Sequence, residues 1–400
     1  MDYETRLAQP LLSNTDQLLS IADEVRFWRS LLVMPALAVV LCGCSGLSDG
    51  ASSSGTPGSG GAGSGSTSAF QAQFIYNAND SFTEWRLDQH GSLHVIGTIS
   101  NDDAVVLDLT DDQKFLYVVD GCSASIFPCP PPQKFAVGSD GTLSSLPPDD
   151  IGLPSFGYTY EFEPDSPTSC GQIAVYRADS TAGTKVQVGA VSQDFPCAGD
   201  IEDETPDLIV FYAGAAPGEF VSHVRLAKRD LSTGMFTWTS QFDDPGSTFV
   251  LVDPKERFLF YSIPDFPGIH TVVQPIDSEG HLRGSQMVYS GLGILAEDPT
   301  GSFVIAGNAT TRGVYRLNAD GLLDHVSDLD PSAFAYGGPG SIFFDQSGQF
   351  LLVFNHQHVA SFAFDRLTGA VSAQPISEFP GIIFATYATS FIPGRKQVTH

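Results

Sequence analysis

Basic residues are scarce in this 400-residue chain, and their scarcity excludes one class of partner. Lysine and arginine together number 19 against 46 aspartates and glutamates, so the formal net charge at pH 7 is −27. A charge of this sign repels a phosphate backbone, and nucleic-acid binding is therefore excluded. A sustained apolar period of 3.6 residues is also missing. Val, Phe, Tyr and Thr are instead interrupted every few residues by glycine or proline, which predicts an all-β chain.

The N-terminal apolar run is too short to cross a membrane as a helix. Residues 31–41 (LLVMPALAVVL) follow Arg26 and Arg29 and precede small residues, which is the order of a secretory signal. The next residues, LCGC, resemble the bacterial lipobox. This resemblance implies that Cys44 becomes the lipidated N-terminus and that Cys42 leaves with the signal. More than one acyl chain anchors a protein stably, so we predict attachment to the membrane of a bacterial cell envelope. Ser45, rather than Asp, resembles an outer-membrane address.

Composition divides the chain into four segments. Residues 1–44 form the signal segment, although residues 1–24 carry five acids and one base, which predicts that the true start is Val25. Residues 45–69 contain 17 glycines and serines in 25 positions, so they are predicted to be a flexible tether. Residues 70–395 form the folded body, and residues 396–400 form a tail.

Cysteine is rare, with six in the chain and four in the body. An even number in an exported protein predicts disulfides. We favour Cys122–Cys129 and Cys170–Cys197, because each pair brackets a local proline-rich or irregular stretch. Zinc is the alternative, but the spacings lack a C-x₂-C knuckle.

Glycine turns recur along the body at a nearly constant spacing. The turns have the form Asp-x-x-Gly-x-apolar, as in NADGLL and DSEGHL, and a tight hairpin needs glycine at such a position. Their glycines are Gly91, Gly141, Gly183, Gly234, Gly280, Gly321 and Gly369. The mean spacing of about 46 residues indicates seven copies of one unit.

An acidic turn before an apolar strand recurs in phase with the glycine turns. It is found in DPKERFLFYSI (253–263), DPTGSFVIAGN (298–308) and DQSGQFLLVFN (345–355). Each unit therefore runs strand A, acidic turn, strand B, loop, strand C, glycine turn, strand D. Four antiparallel strands in 40–50 residues are typical of a β-propeller blade. The first unit lacks strand A and a spare strand lies at 384–394, which predicts a seven-bladed ring closed by a C-terminal strand joining the N-terminal blade.

These repeats resemble those of the seven-bladed lactonase-like propellers, which include 6-phosphogluconolactonase-type enzymes. The resemblance spans roughly 70–395 and is weakest in blades 3 and 4. It implies the fold and suggests a ligand site on the face where the D–A and B–C loops gather. The blade motifs themselves are structural, so they do not establish a lactonase.

Polar residues at the ends of the B strands are the candidate site on this face. They are Asn77, Asp120, Asn308, Asn355, His356 and His358. Asn and Asp also cap turns, so a purely structural role is the alternative. His356 and His358 could ligate a metal or supply a general base. His223 and Arg225 form a similar pair, which we expect to be exposed on a sheet face. The acidic run 194–207 could hold Ca²⁺, although a solvated charge run is the simpler interpretation.

Two functions of different classes follow from the sequence. The first, which the sequence alone favours, is a lipid-anchored, monomeric propeller that binds an envelope protein or a small molecule. The second is an extracytoplasmic lactonase or related hydrolase acting on an unphosphorylated lactone. A quinone-dependent dehydrogenase and a protein-translocation scaffold are weaker alternatives.

Overall fold

The computed structural model describes residues 39–43, 73–78, 81–100, 104–110, 114–120, 132–149, 151, 154–163, 171–193, 198–213, 222–244, 249–265, 268–308, 311–330, 334, 342–354, 358–380, 387–388, 391–392 and 395–397. Every regular element in these ranges is a β-strand. None of the described residues belongs to a helix that is long and apolar enough to span a membrane.

The strands form seven antiparallel sheets, which are the blades of a seven-bladed β-propeller. Blade 1 contains β1 (Val39–Gly43), β2 (Gln73–Ala78), β3 (Ser81–Leu87) and β4 (Leu93–Ser100). Blade 2 contains β5 (Ala104–Leu109), β6 (Phe115–Asp120), β7 (Gln133–Val137) and β8 (Leu143–Leu146). Blade 3 contains β9 (Tyr158–Glu163), β10 (Gln172–Asp179) and β11 (Thr184–Ser192). Blade 4 contains β12 (Ala198–Glu204), β13 (Leu208–Ala213), β14 (Ser222–Arg229) and β15 (Phe236–Asp244).

The remaining blades follow in chain order. Blade 5 contains β16 (Phe249–Val252), β17 (Phe258–Asp265), β18 (Gly268–Pro275) and β19 (Met287–Ser290). Blade 6 contains β20 (Gly293–Glu297), β21 (Phe303–Gly307), β22 (Arg312–Leu317) and β23 (Leu323–Asp328). Blade 7 contains β24 (Ile342–Phe344), β25 (Phe350–Phe354), β26 (His358–Ala363) and β27 (Ser377–Pro380). Three short strands end the described chain: β28 (Tyr387–Ala388), β29 (Phe391–Ile392) and β30 (Arg395–Gln397).

The acidic turns close the A–B hairpins. Asp345 follows β24, and its carboxylate accepts hydrogen bonds from the backbone N–H groups of Ser347 (2.9 Å) and Phe350 (2.7 Å). Asp298 does the same for Ser302 (2.7 Å) and Phe303 (2.5 Å). Burial raises the pKa of Asp345 above its ordinary value, and these hydrogen bonds offset only part of that rise. The recurrent acids are therefore turn caps, as expected of a structural repeat.

The glycine turns and the first residues of the B strands recur in phase because they touch. Six of the seven turn glycines pack against the first or second residue of strand B of the preceding blade: Gly91 on Phe350, Gly141 on Phe74, Gly234 on Tyr158, Gly280 on Leu208, Gly321 on Phe258 and Gly369 on Phe303. A Cβ atom at Gly141 would lie 2.1 Å from the Phe74 ring, and Gly141 has a φ of +88°. Both the contact and the backbone therefore require glycine.

Blade 3 departs from the predicted four strands, because the described residues provide only three. Strand A is the one missing. The segment before β9 is PPDDIGLPSF (147–156), and its prolines lack the backbone donors that an inner strand needs. Asp149 in this segment accepts hydrogen bonds from Lys134 Nζ (2.5 Å) and Tyr117 Oη (3.1 Å) of blade 2, and Ile151 is fully buried. These hydrogen bonds join Asp149 to blade 2.

The apolar core lies between the blades. Six buried clusters each join two neighbouring blades, including blades 7 and 1. No such cluster of described residues joins blades 2 and 3. There a Cβ atom at Gly183 would meet Asp149 at 3.4 Å rather than an aromatic ring, and the buried Lys134 lies over the Phe115 ring at 4.3 Å.

Ring closure involves both ends of the described chain. β28 pairs with β2 through Asn77↔Ala388 and Ala78↔Tyr387, which confirms the predicted contact between the C-terminal strand and blade 1. β1 pairs with a longer part of β2, from Val39↔Asn77 to Gly43↔Gln73. Cleavage before Cys44, as the sequence predicts, would remove β1 and leave β28 as that partner. β30 pairs with the inner strand of blade 4, at Asp203↔Gln397 and Glu204↔Lys396.

Candidate functional site

The predicted polar residues share one end of their blades. Asn77 and Asp120 lie at the ends of β2 and β6, Asn308 follows β21, and His358 begins β26. We call this end, which carries the B–C and D–A loops, the loop face. Blades 6, 7, 1 and 2 are consecutive in the ring, so these positions form one arc of the loop face. Asn355 and His356 lie outside the described residues, as do Cys44, Cys122, Cys129, Cys170 and Cys197, so the tethering and disulfide predictions stay predictions.

Asn308 serves as a turn cap. Its Nδ2 donates to Gly291 O at 3.0 Å, and its Oδ1 accepts from the backbone N–H of Thr311 at 3.0 Å. The side chain therefore holds the B–C turn of blade 6 against the start of the same blade. Asn308 therefore caps its turn, as the structural alternative predicts; whether it also binds a ligand stays a prediction.

Metal binding gains no support from the described part of the chain. No three His, Cys, Asp or Glu side chains there come together in a way that could hold a metal ion. The predicted His356 and His358 pair and the Ca²⁺ alternative remain predictions from the sequence.

The expectation that His223 and Arg225 are exposed is wrong for Arg225. The two residues lie on the same face of β14, two positions apart. This face points toward blade 3, and Ala227 on it belongs to the core between blades 3 and 4. Arg225 is 3% exposed, and its guanidinium carbon lies 3.7 Å from the centre of the Trp238 ring. Stacking on an aromatic face compensates for part of the cost of burying the charge.

At the loop-face end of β14, His223 faces a carboxylate of the neighbouring strand β15. Its Nδ1 lies 3.1 Å from Asp243 Oδ1, directly across the β14–β15 ladder. The His223 side chain is 12% exposed with both ring nitrogens buried, whereas the Asp243 side chain is 79% exposed. Trp238 Nε1 donates to Ser192 O of blade 3 at 3.3 Å. This hydrogen bond joins the indole to the neighbouring blade across their interface.

A second charged group lies at the opposite end of the same interface. Arg229 Nη1 donates to Glu204 Oε2 at 2.8 Å, with side-chain exposures of 0% and 1%. Burial alone would lower the pKa of Arg229, but the carboxylate of Glu204 beside it raises this pKa above its ordinary value. For the neighbouring Tyr160, burial raises the pKa to about 12. This pair lies at the A–B and C–D turns, away from the loop face, and its role is structural.

The acidic run 194–207 is partly a buried strand where the structure describes it. Residues 198–204 form the inner strand β12. Asp203 is fully buried and accepts from Val252 N at 2.6 Å, and Glu204 pairs with Arg229. The expectation of a solvated run is therefore wrong for these two acids, since each has a buried partner.

The sequence contained a signal for the blade 4 group that the motif search missed. In SHVRLAKR (222–229), strand alternation places His223, Arg225, Ala227 and Arg229 on one face. Two arginines on one strand face are unusual in a chain with so few bases. Burial could not be read from the pattern, because it depends on Trp238 in the next strand.

Solved structures share this architecture. A candidate 6-phosphogluconolactonase from Bacteroides fragilis matches with a TM-score of 0.53 and 15% identity, over 77% of this chain and 93% of its own. The periplasmic gluconolactonase of Pseudomonas aeruginosa matches with a TM-score of 0.50 and 15% identity, over 79% of this chain and 94% of its own. A protein from Lactobacillus plantarum matches with a TM-score of 0.52 and 14% identity, over 77% of this chain and 94% of its own.

At these identities the likeness shows the fold alone, a seven-bladed β-propeller. No protein-family model matches the sequence, and no curated protein matches it.

Proposed function

We propose that this protein is an extracytoplasmic hydrolase that opens an unphosphorylated lactone while tethered to the envelope through Cys44. The observation that carries the proposal is the structural match with the periplasmic gluconolactonase, which spans 79% of this chain and 94% of that one. The signal segment supports the same side of the membrane. The hydrolase, which the sequence alone leaves as the alternative, thereby becomes the preferred function.

Charge argues for an uncharged substrate. The net charge of −27 repels a phosphorylated lactone. A phosphate site needs several arginines with available donors, whereas three of the described arginines already bind acids. Arg229 pairs with Glu204, Arg257 with Asp253, and Arg283 with Asp277. We therefore propose a neutral five- or six-membered lactone.

A binding scaffold is the second candidate, and Asn308 favours it. Since that side chain is used within its own turn, the arc of B-strand ends would act as a rigid rim. In that case a ligand or envelope partner would bind the loops without being converted.

The test is hydrolysis of a lactone panel by the processed, detergent-purified protein. Acid release is followed by pH-stat titration with unphosphorylated γ- and δ-lactones and with 6-phosphogluconolactone, each corrected for spontaneous opening. The proposal expects turnover of the unphosphorylated lactones only. Failure on every lactone would reject the hydrolase and favour the scaffold. A Cys44→Ser variant, expected to leave the membrane fraction, tests the tether separately.

A further inference from the structure

A cavity of about 650 Å³, open to solvent, lies at the turn end of blade 3, away from the loop face. Its lining comes from the end of β10, the C–D turn and β11 of blade 3, from Pro154 and Gly157 ahead of β9, and from Thr110 of blade 2. Small-molecule sites have volumes of about 300–1,000 Å³, so this cavity is large enough to be one.

The cavity coincides with the departure of blade 3 from the repeat. At the other turn glycines, a side chain at the start of strand B of the preceding blade fills the space beside the glycine. Gly183 lacks such a contact, and no apolar cluster of described residues joins blades 2 and 3. The regular blades therefore close this end of their interfaces, whereas blade 3 leaves it open.

Two charged side chains on the cavity keep groups available for a ligand. Arg177 is exposed, and its one hydrogen bond to a described residue joins Nη2 to Ser232 O at 3.5 Å, longer than an ordinary N–H···O bond. Asp179 Oδ1 accepts from the backbone N–H groups of Thr181 (3.0 Å) and Ala182 (2.9 Å), and its Oδ2 accepts from no described residue. Arg177 and Asp179 form no ion pair with each other, so a donor and an acceptor remain.

Uncharged side chains make up much of the remaining lining. Ser180, Thr181 and Thr184 carry hydroxyl groups, and Val186 and Val188 of β11 are 66% and 38% exposed. Hydroxyl groups together with exposed apolar surface suit a ligand that presents both C–H faces and hydroxyl groups.

We propose that this cavity binds a neutral carbohydrate chain, at a site separate from the loop face. Arg177 donates to ring hydroxyl groups and Asp179 accepts from them, while Val186 and Val188 contact the C–H face of a sugar ring. The net charge of −27 repels an acidic glycan, which makes the ligand class neutral. The site does not depend on lactone hydrolysis.

The test measures binding of maltohexaose, cellohexaose and chitohexaose to the processed protein by isothermal titration calorimetry. Hexagalacturonate is the acidic counterpart. The proposal expects saturable binding of at least one neutral hexasaccharide and none of hexagalacturonate.

Arg177 has a matched control in blade 6. Arg316 of β22 reaches the C–D turn of the following blade in the same way, with Nη2 donating to Leu367 O at 3.1 Å, but it does not line the cavity. Arg177→Met is expected to weaken the binding by about 10-fold or more, the usual effect of losing hydrogen bonds from a charged group. Arg316→Met is expected to leave the binding unchanged.

Two glycines allow the cavity itself to be blocked. Gly157 and Gly291 both have a φ of +78°, and a Cβ atom at either would meet nothing within 4 Å. Asparagine tolerates this conformation. Gly157→Asn places a side chain on the cavity lining and is expected to lose the binding, whereas Gly291→Asn, in the loop between β19 and β20 on the loop face, is expected to keep it.

Each outcome decides the proposal. Binding that is lost in Arg177→Met and Gly157→Asn but kept in the two controls supports it. Equal binding by all four variants would place the carbohydrate elsewhere and overturn the site. No binding of any neutral hexasaccharide, or binding of hexagalacturonate alone, would overturn the ligand class. Because lactone turnover does not enter the measurement, failure of this proposal and failure of the proposed function are distinguishable.

Discussion

Blades 5 to 7 and blades 3 to 4 share one architecture but differ in the side chains that fill their interfaces. In blades 5 to 7, the turn glycine and the opening phenylalanine or leucine repeat and meet at every interface. In blades 3 and 4, the interfaces hold ion pairs and stacked cations: Lys134 with Asp149, Arg225 on Trp238, and Arg229 with Glu204. The repeat specifies the ring where it is regular, whereas the ion pair with both side chains buried, Arg229 with Glu204, lies in blade 4.

The largest expected effect comes from breaking the buried ion pair of blade 4. Arg229→Met leaves Glu204, which is 1% exposed, without its cation. We expect a loss of about 3–5 kcal/mol in the free energy of unfolding. Urea denaturation followed by tryptophan fluorescence measures it.

A regular blade supplies the matched comparison. Arg257 binds Asp253 with Nε–Oδ2 at 2.7 Å, but its side chain is 29% exposed. Asp253 is fully buried, but solvent reaches the arginine, and in the variant Asp253 keeps the hydrogen bond from the backbone N–H of residue 257 (3.0 Å). Arg257→Met should therefore cost only about 1 kcal/mol. Equal losses for the two variants would remove the distinction between the two regions.

The glycine turns allow a second comparison at matched backbone conformation. Gly141 and Gly183 both have positive φ, +88° and +68°. Alanine at either position carries a strain of about 1 kcal/mol. At Gly141 a Cβ atom would also collide with Phe74, whereas at Gly183 the nearest atom is 3.4 Å away.

Gly141→Ala should therefore cost about 1–3 kcal/mol more than Gly183→Ala, the range expected for overpacking. Thermal denaturation of the two variants in parallel gives the difference. A smaller loss at Gly141 than at Gly183 would contradict the contact as the reason for the repeat.

The smallest expected effect is a pH dependence in blade 1. Burial raises the pKa of Glu84 above its ordinary value of 4.5, although the backbone N–H of Leu143 lowers it. A raised pKa in the folded state means that Glu84 supports folding below pH 4.5 and loses this contribution as the pH rises through the folded value.

Glu84→Gln should therefore be more stable than the wild type at pH 7, with the gain vanishing near pH 4. Melting temperatures of both proteins between these pH values test the sign. A variant less stable than the wild type at pH 7 would show that the ionised carboxylate is favourably bound.

Local repetition explains what the sequence could predict. Gly321 and Phe258 recur in phase because they touch, so their spacing reported the blade count and the ring. The missing inner strand of blade 3 could not be predicted, since it depends on where PPDDIGLPSF packs. Strand alternation placed His223 and Arg225 on one face, but the burial of Arg225 depends on Trp238, which belongs to another strand.

The most direct test compares two lactones that differ by one phosphate group. The measurement is kcat/KM of the processed protein for D-glucono-δ-lactone and for 6-phosphogluconolactone, each corrected for spontaneous opening. Because the chain carries a net charge of −27, the account predicts turnover of the uncharged lactone and none of the phosphorylated one; turnover of the phosphorylated lactone, or of neither, would contradict it.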